Sequence, residues 1–236
     1  MRPSYLFQIS LFGPSWAFVH DHLRQRSSLS SCNHDNLNST VGSYIVKENK
    51  TISHISTIVD RGICDIARAN RMADAMLPLH EGQELIIPAE VCKPDNSTCL
   101  ITKSENDTYA DCVTGGPHTY YTLKGDTLRY IALKLNITLD AISATAQVDS
   151  NDPDAAVQVN NFLKLPLCSP SHCSVTPHTF TYGTYKDIAE KLGTTPGQLM
   201  ALNPTYNFTN VAKGEGAVIS VLSDCRTTGS DITVIS

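Results

Sequence analysis

Cysteine and asparagine carry most of the reactive potential in this sequence. Eight cysteines occur, Cys32, Cys64, Cys92, Cys99, Cys112, Cys168, Cys173 and Cys225. No C-x-x-C pair is present and the histidines lack zinc spacing, so no metal site is expected and disulfide chemistry is. The N-x-Ser/Thr sequons at Asn38, Asn49, Asn96, Asn106, Asn136 and Asn207 can accept N-linked glycans, whereas Asn203 is excluded by Pro204. An even cysteine count beside these sequons points to an oxidising, secretory route. Hydrolytic chemistry has no matching constellation: no glycosidase-type acidic run, no G-x-S-x-G and no H-E-x-x-H. Asp187 and Glu190 read as a solvated helix face. No catalytic residues and no cofactor are expected.

Charge narrows the partners. Lys+Arg 18 against Asp+Glu 23 gives a net charge of −5, which offers no electrostatic footprint for nucleic acid. No apolar segment approaches the roughly 18 residues of a membrane span. Residues 1–19 read as a signal peptide, with Arg2 before an apolar stretch from Leu6 to Val19 and Ser15-Trp16-Ala17 as the cleavage region. Gly13-Pro14 interrupts that stretch, so a misassigned first exon is the alternative.

The elements that must position everything else come in three copies, with a period of about fifty residues. Each opens with a β-like run: Tyr44-Ile45-Val46, Tyr120-Tyr121-Thr122 and Thr179-Phe180-Thr181. Each continues with helical apolar spacing: Ile52, Ile55 and Val59; then Leu128, Ile131, Ala132 and Leu135; then Tyr185, Ile188, Ala189 and Leu192. A second helix follows. Thr138 can cap the one carrying Leu139 and Ile142, and Thr195 with Pro196 opens the one carrying Leu199 and Leu202. Each copy closes on another β-like run: Leu85 to Ile87, Phe162 to Leu165 and Val218 to Val221. The expected class is α+β, three small βααβ modules in tandem, stapled by disulfides. The boundaries are 44–92, 118–168 and 178–225, with linkers at 93–117 and 169–177 and a frayed tail at 226–236.

Units this small bury little core and need staples. Cys112 and Cys173 precede first strands, and Cys168 and Cys225 follow last strands. If the two strands of a module pair antiparallel, Cys112–Cys168 and Cys173–Cys225 become natural bridges. Cys32, Cys64, Cys92 and Cys99 remain for the first module, with their pairing open.

The run Tyr120 to Leu128, with Gly125-Asp126-Thr127 at its turn, resembles the opening of a LysM module. Leu202-Asn203-Pro204 and Gly82 to Pro88 resemble its middle and end. The stretch from Cys32 to Cys225 resembles the three-module LysM effectors secreted by plant-associated fungi. That resemblance implies binding of chitin and N-acetylglucosamine oligomers by two loops per module, one before the first helix and one after the second. The implied chitin-binding residues are Asn49, Lys50, Thr51, Ile52, Met76 and Leu77 in module one. In module two they are Gly125, Asp126, Thr127, Leu128, Val148, Asp149, Asp152 and Asp154. In module three they are Gly183, Thr184, Tyr185, Tyr206 and Val211. Gly-Asp-Thr can equally be a tight turn that caps the helix.

Modules one and three depart from the pattern. Asn49-Lys50-Thr51 and Gly183-Thr184-Tyr185 replace Gly-Asp-Thr, and sequons fall at Asn49 and Asn207. Some relatives clamp one oligomer between the first and third modules, but here module two is the expected single site. The implied partners are chitin oligosaccharides and fungal cell-wall chitin, with ligand-bridged self-association. The implied setting is extracellular, in the host apoplast or fungal wall. The implied use is to sequester chitin fragments from host immune receptors or to shield hyphae from chitinases. Alternatives are a structural wall glycoprotein or the binding part of a chitin or peptidoglycan hydrolase.

Overall fold

Thr51, Thr127 and Thr184 each hold extended backbone immediately before a helix and accept a hydrogen bond from the amide three residues on. A threonine there satisfies a donor that the first helical turn leaves open. The helices they start are α1 (Ile52–Val59), α3 (Leu128–Leu135) and α5 (Tyr185–Leu192). Each is followed by a second helix: α2 (Ile63–Ala69), α4 (Leu139–Ala146) and α6 (Pro196–Leu202). Thr195 caps α6 in a reciprocal box with Gln198, and Pro196 takes the first helical position, where its missing N–H is not needed.

The computed structural model describes residues 32, 35, 37–48, 50–103, 108–146, 152–206 and 216–235. The expected signal peptide at 1–19 and the sequons at Asn49, Asn106 and Asn207 lie outside the described residues. The chain divides into Met1–Asp35 and Asn36–Ser236, and every helix and strand named here belongs to the second unit.

In the first module β1 (Gly42–Ile45) pairs antiparallel with β2 (Glu84–Ile87). Between β2 and the second module's first strand lies β3 (Val113–Thr114). In the second module β4 (Thr119–Tyr121) pairs antiparallel with β5 (Phe162–Lys164). Next comes β6 (Leu167–Ser169), and in the third module β7 (Ser171–Phe180) pairs antiparallel with β8 (Ala217–Thr227). Two helices lie between the paired strands of each module.

Three segments expected as linkers or tail hold regular structure. Residues 169–177 fall largely in β7, so the third hairpin is far longer than its sequence run implies. The tail supplies the end of β8 and then β9 (Thr233–Ile235), which pairs with β6. Val113 and Thr114, expected inside a linker, pair parallel with Leu167 and Cys168. Local composition missed β7 and β9 because their mostly exposed, mixed-polarity residues gain order from cross-strand hydrogen bonds rather than from an apolar face, and it missed β3 because Val113 is buried only by elements distant in sequence.

Cys112 is bonded to Cys168 and Cys173 to Cys225, the two pairs named from strand ends. Cys64 is bonded to Cys99, which ties α2 to the segment after β2, and no cysteine is free. Two cores result. One fills the first module around Ile52, Ile55, Ile66, Met72 and Leu85. The other runs continuously through the second and third modules, joining Tyr120, Ile131, Leu135 and Leu163 to Phe180, Tyr185, Leu199 and Ile219, and it includes Ala73 of the first.

Candidate functional site

The loop pair of the second module is built from backbone. Gly125 takes φ +95°, a region most side chains avoid. Asp126 turns inward and accepts from the Leu123 amide at 2.8 Å. Thr127 caps α3 through the Tyr130 amide at 3.1 Å. The second loop lies alongside: Arg129 N–H donates to Pro153 O at 3.1 Å, and Val157 N–H to Asp126 O at 3.0 Å. Thr127 and Ala156 form an antiparallel bridge. Gly125, Asp152, Asp154 and Ala156 are exposed along this seam, and Arg129 spans it to Asp154 at 2.7 Å. Val148 and Asp149 lie outside the described residues.

The same pairing recurs in the first module, where Leu79 N–H donates to Lys50 O at 3.2 Å. Thr51 caps, Ile52 is buried, Leu77 is half-buried and Met76 is exposed. The Met76 amide donates to Asp74 Oδ1 at 2.8 Å. Asn49 lies outside the described residues. In the third module Gly183, Thr184 and Tyr185 are buried. Gly183 N–H donates to Arg68 O at 3.1 Å, and Tyr206 O–H to Arg71 O at 2.7 Å. That first loop therefore packs onto the first module. Val211 lies outside the described residues. Across the three modules, the side chains of Ile52, Asp126, Leu128, Thr184 and Tyr185 point to the interior. Their part in the loops is to fix backbone shape.

Two charge clusters join the modules, and sequence reasoning found neither. In the first, Lys134 is fully buried, with Nζ 2.6 Å from Asp126 Oδ1 and 3.3 Å from Asp74 Oδ2. Tyr130 O–H donates to Asp74 at 2.8 Å, and the Lys134 ammonium lies 4.4 Å from the Tyr130 ring centre. Burial works against the lysine charge, but Tyr120, Asp74 and Asp126 outweigh it and hold its pKa above the ordinary value. Burial likewise pushes up the Tyr120 and Tyr130 hydroxyls. The one signal in sequence was a lysine beside the apolar stripe of α3.

In the second cluster Arg68 reaches Asp95 at 2.7 Å and Asp187 at 2.8 Å, and Lys186 donates to Thr98 O at 2.9 Å. Asp187 is thus no solvated acid: it bonds Arg68 of another module and closes the Thr184 capping box. Glu190, exposed, pairs with Lys186. Burial alone would raise the Asp187 carboxyl, but bonds from Arg68 and Thr184 hold it below its ordinary value. Thr98 and Arg68 likewise overcome burial to hold Asp95 low.

Where the modules meet, a cleft of about 330 Å³ opens between Leu77 and Pro78, Tyr121 and Leu123, and Tyr185 and Tyr206. Gln83 Nε2 and Tyr185 Oη, both buried in residues that line it, have no hydrogen-bond partner among the described residues. Among the described residues no cluster of three or more His, Cys, Asp or Glu is placed to hold a metal, and no helix is long and apolar enough to cross a membrane.

Two helices on a two-stranded antiparallel sheet, three times over, with paired loops beside each first helix, is the build of a LysM repeat protein. Residues 44–88, 120–166 and 184–212 match the LysM domain, and the chain belongs to the family of secreted LysM effectors. It is similar to the secreted LysM effector LysM13 of Penicillium expansum, 43% identical over 206 residues, covering 86% of this chain and 88% of that protein. It is also similar to the secreted LysM effector ECP6 of Passalora fulva, 33% identical with 78% of each chain covered. A third relative is the secreted LysM effector ELP2 of Colletotrichum higginsianum, 36% identical over 52% of this chain and 65% of that protein.

Proposed function

We propose that this secreted protein binds chitin and N-acetylglucosamine oligomers without cleaving them, and that the loop pair of the second module is one binding surface. The observation that carries the reading is the exposed seam of two hydrogen-bonded loops at Gly125 and Asp152 to Ala156. An N-acetyl group presents an amide donor, a carbonyl acceptor and a methyl, which loop backbone and small apolar contacts can meet. A net charge of −5 does not matter to an uncharged polymer. Such binding would withhold chitin fragments from host receptors or cover wall chitin against chitinases. An oligomer long enough to reach two molecules would bridge them.

A second reading places an oligomer in the cleft between modules. It is favoured by the two buried donors there, Tyr185 Oη and Gln83 Nε2, which a ligand acceptor would satisfy; an unpaired buried donor costs roughly 1–3 kcal/mol.

The test is retention on insoluble chitin competed by soluble oligomers, with cellulose and xylan as controls, followed by calorimetry of glycosylated and deglycosylated protein. Chitin should retain the protein and the controls should not. Equal retention on cellulose would remove the role given to the N-acetyl group. Release of reducing sugar would make the protein an enzyme.

A further inference from the structure

We infer that Lys134 is a positioning residue that fastens the second module's sugar-facing loop to the first module's second loop, so that the two move as one unit. The inference rests on the reading of the second module's loop pair as a chitin surface.

Lys134 belongs to α3, yet its ammonium does not reach solvent. It lies between Asp126, from the loop that opens the second module, and Asp74, from the loop after α2 of the first. Both carboxylates are fully buried with it. Asp126 also accepts the Leu123 amide, and its own carbonyl accepts the Val157 amide of the partner loop. Asp74 accepts the Met76 amide and the Tyr130 hydroxyl. The Leu123 and Val157 amides of the second module and the Met76 amide of the first are thus each tied to a residue that pairs with the same cation. Beside them Pro78 packs at Gly125, where an added Cβ would lie 3.3 Å from Pro78 Cδ.

A buried cation with two carboxylates is a poor way to gain stability. Ion pairs of this kind are often replaced by apolar side chains without loss, while removing one partner alone is costly. What the triad supplies is geometry. A charge in a low-dielectric interior tolerates little displacement of its partners. A loop anchored to it is held in one conformation, which reduces the ordering cost of binding.

Asp74→Asn tests the coupling. It keeps the shape and one carbonyl oxygen for Tyr130 and Lys134, removes one charge in the first module, and gives up the acceptor of the Met76 amide. Hydrogen exchange of the free protein should show faster exchange of the Leu123, Asp126 and Val157 amides in the second module, with Ile188 of α5 unchanged. A change confined to the first module would overturn the inference. Calorimetry with the N-acetylglucosamine hexamer should show about tenfold weaker binding for Asp74→Asn. The neutral variant Lys134→Met/Asp74→Asn/Asp126→Asn should recover thermal stability lost by Lys134→Met but not the affinity. Recovery of both would make Lys134 a staple and nothing more. Absence of hexamer binding by the unaltered protein would end the chitin reading, and the exchange experiment would still decide the coupling.

Discussion

Gly125 shows one residue serving two contacts. Its φ of +95° shapes the loop, and the space a side chain would need is already bordered by Pro78. Gly125→Val should cost roughly 1–3 kcal/mol in thermal or denaturant unfolding, from strained backbone and a crowded contact. It should also weaken hexamer binding. Because Pro78 belongs to another module, this variant reports on the loop and on the module contact together. Arg129→Ala is the cleaner probe of the groove, since the ion pair it removes is exposed; melting should be unchanged while binding falls. At Arg68 the chemistry predicts a pH effect. Asp95 and Asp187 sit below their ordinary values. Their contribution is complete above the unfolded carboxylate pKa of about 4 and is lost as the pH falls through the lower folded values. Stability should therefore drop on acidification below about pH 4, and Arg68→Met should flatten that slope. An unchanged slope in the variant would remove Arg68 from the account.

At the scale of elements, the caps and bridges are separable. Thr184 and Thr195 close reciprocal boxes, whereas Thr51 and Thr127 accept in one direction. Alanine at any of them should cost about 1 kcal/mol, with the boxed pair losing more in denaturant titrations. The bridges act on longer loops. Cys64–Cys99 closes a separation of 35 residues and Cys112–Cys168 one of 56. Replacing either pair by alanine should cost about 2–5 kcal/mol, measured by thermal melting against the oxidised parent.

The whole molecule is less modular than its repeats. α6 meets α3 so closely that a Cβ on Gly197 would lie 2.7 Å from Leu135 Cγ and 2.9 Å from the Lys134 carbonyl carbon. Tyr120 O–H, on β4, reaches Met200 Sδ of α6 at 3.6 Å. The second and third modules share a single core. A fragment holding the third module alone should therefore expose apolar surface and melt well below the full chain. Gly197→Ala should destabilise the pair by about 1–3 kcal/mol. A fragment that melted at the temperature of the parent would show the shared core to be dispensable.

Local chemistry is enough to specify the repeated unit. Helical spacing of apolar residues, a threonine before each first helix, Pro196 after Thr195 and cysteines at strand ends are all read within one element or at its edges. Those features gave the strand–helix–helix–strand order and two of the bridges, while the paired loops came from the resemblance to LysM modules. They could not give Asp126 as a buried partner of Lys134, nor Arg68 as the partner of Asp187, 119 residues away. A lysine or an aspartate has the same local signature on a surface as in an interior, and only the packing of one module on another removes the water. The part of β7 before Thr179 and the strand at Thr233–Ile235 also stayed hidden, although Thr179-Phe180 was legible as a β-run. Pro177, the polar residues and the exposed faces read as loop, because a strand held by pairing rather than by burial leaves no apolar alternation behind. Residues within a few positions of each loop set its turn and its helix cap. Tertiary structure decided which loops meet, because charges and glycines far apart in the chain become neighbours only when the modules close.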